Sequence, residues 1–170
     1  MANIYLVGFM GTGKTTVGKE LAKAKGWQFI DLDELIELKE KRSIADIFAK
    51  DKEEYFRKAE TRALKEVARE AKFVVACGGG VVLKAENIKT MKQTGLIVCL
   101  TATPAQVLKR TSGYLHRPLL NVADPKKQIE TLLKMRQPYY AQADKIIDTT
   151  KISPKEVVRK IKAIRLRPAR

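Results

Sequence analysis

The residues Gly8-Phe9-Met10-Gly11-Thr12-Gly13-Lys14-Thr15 fit the spacing G-x-x-x-x-G-K-[ST] at every fixed position. That spacing suits phosphate. Glycines let successive backbone N–H groups turn inward as an anion nest, and the positive end of a following helix adds to it. Lys14 is long enough to reach β- and γ-phosphates, and the Thr15 hydroxyl is a hard oxygen suited to Mg²⁺. Gly11, Thr12, Gly13, Lys14, Thr15 and Thr16 are therefore the candidates for binding a nucleoside triphosphate. The pattern alone does not separate kinases from GTPases and motors.

P-loop ATPases and GTPases hold their metal with an acid at a strand end. Here the third apolar run, Phe73–Cys77, ends in Gly78-Gly79-Gly80 instead, and neither an Asp-x-x-Gly nor an Asn-Lys-x-Asp sequence follows. The available acids are Asp31 and Asp33, after the second run. In an extended segment alternate residues share a face, so both carboxylates can look toward a γ-phosphate. One can assist Mg²⁺ while the other accepts a proton or hydrogen bond from a substrate hydroxyl; a capping role is the alternative for Asp33. Three glycines in a row allow a ligand close to the backbone. Arg57, Arg117 and Arg136 offer planar forks for carboxylate or phosphate.

These groups need a frame. Short apolar runs at Ile4–Val7, Phe29–Ile30, Phe73–Ala76, Leu96–Leu100 and Ile146–Ile147 alternate with amphipathic segments. Helices are expected over Lys14–Lys25, Lys84–Thr94, Thr103–Arg110, Pro125–Ala143 and Ser153–Arg165, and over Asp33–Ala71 with breaks near Ser43 and Asp51. This alternation predicts right-handed βαβ crossovers and a parallel sheet covered on both faces, an α/β fold. Thr103-Pro104, Asp124-Pro125 and Ser153-Pro154 each place a capping side chain before a proline at the first helical position. Ser153 and Glu156 complete a capping box. Residues 1–170 are expected to form a single domain with a helical insertion at 32–71, a lid at 111–124 and a basic tail at 165–170.

Charged residues at 31% and hydrophobic ones at 45% describe an ordinary globular chain. No apolar run approaches the about 20 residues that span a bilayer, and no secretory leader is read at the N-terminus. Cys77 and Cys99 lie in apolar runs as expected free thiols, so the expected compartment is cytoplasmic. The net charge of +15 invites a nucleic-acid reading. The last twenty residues, however, carry eight basic groups and no aromatic residue to stack on a base. A solvated basic end is the better account, with neither nucleic acid nor membrane as partner.

Together these residues resemble shikimate kinases from about Ile4 to Ile161. The phosphate loop is generic. The ordered set Phe29-Ile30-Asp31-Leu32-Asp33, Arg42 to Phe48, Phe56-Arg57, Gly78-Gly79-Gly80, Arg117-Pro118-Leu119-Leu120 and Arg136 before Tyr139-Tyr140 is specific. The resemblance implies a nucleoside-monophosphate-kinase-like fold, with a five-stranded parallel sheet in the order 2-3-1-4-5. It implies a monomeric enzyme that moves the γ-phosphoryl of ATP, with Mg²⁺, to the 3-hydroxyl of shikimate in aromatic amino-acid biosynthesis. Asp33, Lys14 and Arg117 then correspond to the catalytic set, and Thr15 and Asp31 to the metal side. Arg57 and Arg136 correspond to the carboxylate holders, Gly79 and Gly80 to backbone contacts with the ring hydroxyls, and Phe48 and Phe56 to apolar walls. Arg110 and Pro154 correspond to the adenine sandwich, and Arg117 to a lid arginine on the phosphates. His116 is read as a lid residue without a chemical role. A gluconate or nucleoside monophosphate kinase of the same fold is the nearest alternative, and a nucleic-acid-dependent NTPase a more distant one.

Overall fold

The computed structural model describes residues 2–112 and 122–165. Five strands, β1 (Asn3–Val7), β2 (Gln28–Asp31), β3 (Phe73–Ala76), β4 (Gly95–Thr101) and β5 (Lys145–Asp148), form one sheet in the order β2-β3-β1-β4-β5. Every neighbouring pair is parallel. The order is the one the resemblance implies. Parallel pairing puts the C-terminal ends of all five strands along one edge, where the glycine loop, Asp31, the triple glycine and Thr149 all emerge.

The helices divide between the two faces because strand side chains alternate. Tyr5 and Val7 of β1 belong to one apolar layer with Val75, Ile97 and residues of α2 (Leu32–Glu40) and α3 (Ile44–Val67). Ile4 and Leu6 belong to the other, with Val74, Val98 and residues of α1 (Lys14–Lys25) and α7 (Pro154–Lys162). Central β1 is buried at all five positions, as a strand covered on both faces must be. The edge strand β5 buries only Ile147.

Local signals account for most boundaries. Thr103, Asp124 and Ser153 each accept a hydrogen bond from a first-turn N–H of α5 (Pro104–Thr111), α6 (Pro125–Tyr140) and α7. The Ser153–Glu156 capping box is formed in both directions. Gly26, at φ 63°, ends α1 with backbone bonds back to its last turn. Between β3 and β4 lie a 3₁₀ turn (Val81–Leu83) and α4 (Ala85–Thr94).

The segment expected to break twice does so. Ser43 caps α3, accepting from the Asp46 N–H at 3.1 Å. The second break falls at Lys52, whose φ of 66° and ψ of 176° interrupt α3. Arg42 pairs with Asp51 next to this kink. That backbone region is nearly exclusive to glycine, because a Cβ there crowds the chain. Lys52→Gly is therefore expected to stabilise the fold by about 1 kcal/mol, the relief of strain exceeding the extra chain entropy of glycine. Urea unfolding checks this. A lower midpoint for the variant contradicts it.

Candidate active site

The loop between β1 and α1 turns on glycines. Gly8 has φ 135°, and a Cβ there would run into the carbonyl oxygen of Leu100. Gly13 caps α1 at φ 96° with no side-chain cap, leaving the first-turn N–H groups facing the loop. Thr12 is buried, and its hydroxyl donates to Phe9 O at 2.7 Å, tying the loop to itself. Lys14 Nζ donates to Gly8 O at 2.8 Å and Phe9 O at 2.9 Å, so its ammonium lies over the concavity. Thr15 Oγ1 donates to Asp31 Oδ2 at 2.9 Å. Thr16 follows, exposed, in the first turn of α1.

Asp31 and Asp33 meet differently from the strand alternation expected of them. Asp31 ends β2 and caps α2, its Oδ1 accepting from the Asp33 N–H at 3.1 Å. Asp33 lies in the first turn of that helix. The capping role considered for Asp33 belongs to Asp31. The strand ends at Asp31, two residues before Asp33, because a carboxylate at that position satisfies helix N–H groups. Asp33 still faces the triple glycine, and Asp31 faces the phosphate loop through Thr15.

The triple glycine is where four chain segments converge. A Cβ on Gly78 would lie 2.8 Å from Asp33 Oδ1 and 2.9 Å from Glu60 Oε1. One on Gly79 would lie 3.3 Å from Arg136 Nη1, and one on Gly80 would coincide with the Arg57 guanidinium. Close approach to the backbone was expected here from a ligand. Among the described residues it is made by protein side chains, which the missing Cβ atoms allow to meet.

Arg57 is held on two sides. Its Nη1 donates to Glu60 Oε2 at 2.9 Å, and its Nε and Nη2 donate to Glu53 Oε1 at 3.1 and 3.0 Å. The Glu60 side chain is 0% exposed, against 60% for Glu53. Burial raises the Glu60 pKa to about 7 although Arg57 opposes it, and nearby Asp33 adds to the rise. Burial works against the charge on Arg57, but Glu60 and Glu53 outweigh it and raise its pKa. Sequence reading missed Glu60, because an acid inside an amphipathic helix looks like part of a solvated face. Its position three residues after Arg57 was the available signal.

Arg136, on α6, is 9% exposed, and its guanidinium lies 5.6 Å over the Phe9 ring. One turn on, Tyr140 OH donates to Gly79 O at 2.7 Å. Burial pushes the Tyr140 phenol up to about 12, so it remains a donor. The Phe48 and Phe56 rings meet with centroids 4.9 Å apart and planes tilted by 41°, with Arg57 5.1 Å over the Phe56 ring. Arg110, on α5, donates to Gly11 O and to Thr149, while Pro154 is exposed at the start of α7. Arg117 and His116, and most of the expected lid at 111–124, lie outside the described residues, as does the tail beyond Arg165.

Thr15 and Asp31 supply a hydroxyl and a carboxylate oxygen side by side. Such a pair suits Mg²⁺ that takes its other ligands from phosphate and water. Among the described residues no cluster of three or more His, Cys, Asp or Glu could hold a metal by itself.

A strand–glycine loop–helix cradle at the head of a 2-3-1-4-5 parallel sheet defines a P-loop protein of the nucleoside-monophosphate-kinase-like fold. The particular family follows from comparison: the profile of the shikimate kinase family matches residues 10–165, and the chain belongs to that family. A shikimate kinase from Thermodesulfovibrio yellowstonii is 45% identical over 161 residues, 95% of this chain and 93% of that protein. One from Caldanaerobacter subterraneus subsp. tengcongensis is 46% identical over 161 residues, covering 95% and 94%. The solved structure of shikimate kinase from Acinetobacter baumannii in complex with shikimate superposes with a TM-score of 0.90 at 41% identity, covering 95% of this chain and 90% of that one.

The buried Glu60 carries a stability prediction. Its folded pKa, about 7, is above the usual 4.5, so ionisation disfavours the folded state. The stability that this carboxyl permits is full below the usual value and is lost as pH rises toward 7. Glu60→Gln cannot ionise. Between about pH 5 and about pH 8, wild-type unfolding free energy should fall relative to that of Glu60→Gln. Urea titrations at both pH values measure it, and a shift in the opposite direction refutes the assignment.

Proposed function

We propose that this chain transfers the γ-phosphoryl group of ATP to the 3-hydroxyl of shikimate, giving shikimate 3-phosphate and ADP. The observation that carries the reading is the meeting of Arg57, Arg136 and Asp33 at the triple glycine, beside the phosphate cradle. Shikimate presents one carboxylate and several hydroxyls, so it needs cationic forks at one end and an acceptor at the other. A solved relative in complex with shikimate supports the same substrate.

In this reading Arg57 and Arg136 hold the carboxylate, with Glu60 keeping Arg57 in place from behind. Gly79 and Gly80 offer backbone groups to the ring hydroxyls, and Phe48 and Phe56 wall the ring. Asp33 accepts the proton of the attacking hydroxyl. Gly11, Thr12, Gly13 and Thr16 surround the phosphates, and Lys14 leaves the loop carbonyls for the β- and γ-phosphates. Thr15 and Asp31 hold Mg²⁺, which when bound neutralises phosphate charge. Arg110 and Pro154 flank adenine. Arg117 comes onto the phosphates from a lid at 111–124, whose closure excludes water that would compete for the phosphoryl group. The insertion at 32–71 is the acceptor-binding part of a single domain. The chain acts as a cytoplasmic monomer, a setting supported by two buried free thiols, Cys77 and Cys99.

Phosphoryl transfer depends on positioning and charge neutralisation, so the variants should separate cleanly. Arg136→Ala should raise the shikimate KM about 10–100-fold, the loss of a charge-assisted pair, while leaving the ATP KM within about twofold. Asp33→Asn should fold normally and lose about 10²–10⁴ in kcat. A coupled ADP-release assay with shikimate, and with gluconate and AMP as control acceptors, reads both. Equal loss of ATP and shikimate binding in Arg136→Ala, or turnover on a control acceptor alone, contradicts the reading.

A further inference from the structure

The β5–α7 connection opens with a buried threonine that no part of the account above uses. Thr149 is 3% exposed, and its hydroxyl lies 3.0 Å from Thr12 O in the phosphate loop and 3.0 Å from Thr101 O at the end of β4. The same oxygen accepts from Arg110 Nη1 at 3.1 Å. Its backbone is tied as well: the Thr149 N–H donates to Thr101 O at 2.8 Å, and its carbonyl accepts from Arg110 Nη2 at 2.9 Å. Arg110 Nη1 also reaches Gly11 O at 3.1 Å.

One hydroxyl therefore joins the phosphate loop, the end of the central sheet and the guanidinium of Arg110. A hydroxyl has one proton to give and two lone pairs, so it can donate to one of the two carbonyls while accepting from Arg110. These bonds run along the edges of the guanidinium and fix its plane, leaving a flat face suited to stacking on a base. The two ends of the nucleotide site come from chain segments far apart in sequence, and Thr149 is the side chain bonded to both.

We propose that Thr149 is a positioning residue for the nucleotide: its hydroxyl fixes Arg110 against the phosphate loop, so that a molecule engaging both ends binds in a single register. The proposal rests on the reading of ATP as co-substrate. Thr149→Val keeps the shape and both backbone bonds and removes only the hydroxyl. It should raise the ATP KM about tenfold, with the shikimate KM and the melting temperature little changed. Thr149→Ser, which restores the hydroxyl, should return the ATP KM to within about twofold of wild type. Should the valine variant not fold, Thr149→Ala must show the same split against Thr149→Ser. An unchanged ATP KM, a parallel rise in both KM values, or failure of serine to rescue overturns the proposal. ATP affinity is also measured directly by titration calorimetry. A chain that binds ATP but ignores shikimate then fails only the substrate reading, and a Thr149→Val variant with wild-type ATP affinity fails only this one.

Discussion

A carboxyl with no exposed surface, Glu60, sets the terms on which the acceptor side of the site is built. Ionised and alone, such a group would cost several kcal/mol of desolvation, so it must be neutralised or paired. Arg57 pairs with it from three residues away on the same helix, and the guanidinium can reach that place only because Gly80 has no side chain. The requirement passes along the strand end. Gly78 leaves room for Glu60 and Asp33 together, and Gly79 for Arg136. Two cations and two acids from three helices stand against three glycines, each where a Cβ would crowd at least one of them.

The parallel sheet brings this acceptor side to the phosphate cradle. Because β1 and β3 run together, with Leu6 opposite Ala76, the loop that begins at Gly8 and the glycines that begin at Gly78 leave the sheet at the same level. Asp31, at the end of β2, hydrogen-bonds Thr15 in the cradle and caps the helix that carries Asp33. One carboxylate thus couples the phosphate loop to the start of the helix that carries Asp33. Phosphoryl transfer between two bound molecules needs that fixed separation more than it needs a reactive side chain.

Much of this was legible in the sequence, for local reasons. Glycine at a left-handed cap, and Ser, Thr or Asp before a proline, act within one turn of the chain, so the cradle and the starts of α5, α6 and α7 could be read directly. Long-range causes hid the rest. Glu53 and Glu60 both lie within a turn of Arg57, and that spacing alone does not say which is buried; burial of Glu60 comes from the glycines of a distant strand, while Glu53 stays exposed. The shared extended face expected of Asp31 and Asp33 does not form, because Asp31 caps a helix that starts at Leu32. Thr149 gave no signal, since its partners Thr12, Thr101 and Arg110 are brought together only by the fold.

Under the proposed function, the bare backbone at Gly80 lets Arg57 stand where the acceptor's carboxylate would be held. Titration calorimetry of shikimate into wild type and Gly80→Ala tests it most directly, with ATP titrated in parallel. The added methyl group displaces the Arg57 guanidinium, so shikimate affinity should fall at least about tenfold while ATP affinity stays within about twofold. Shikimate affinity that survives the substitution in a folded, ATP-binding protein would contradict the account.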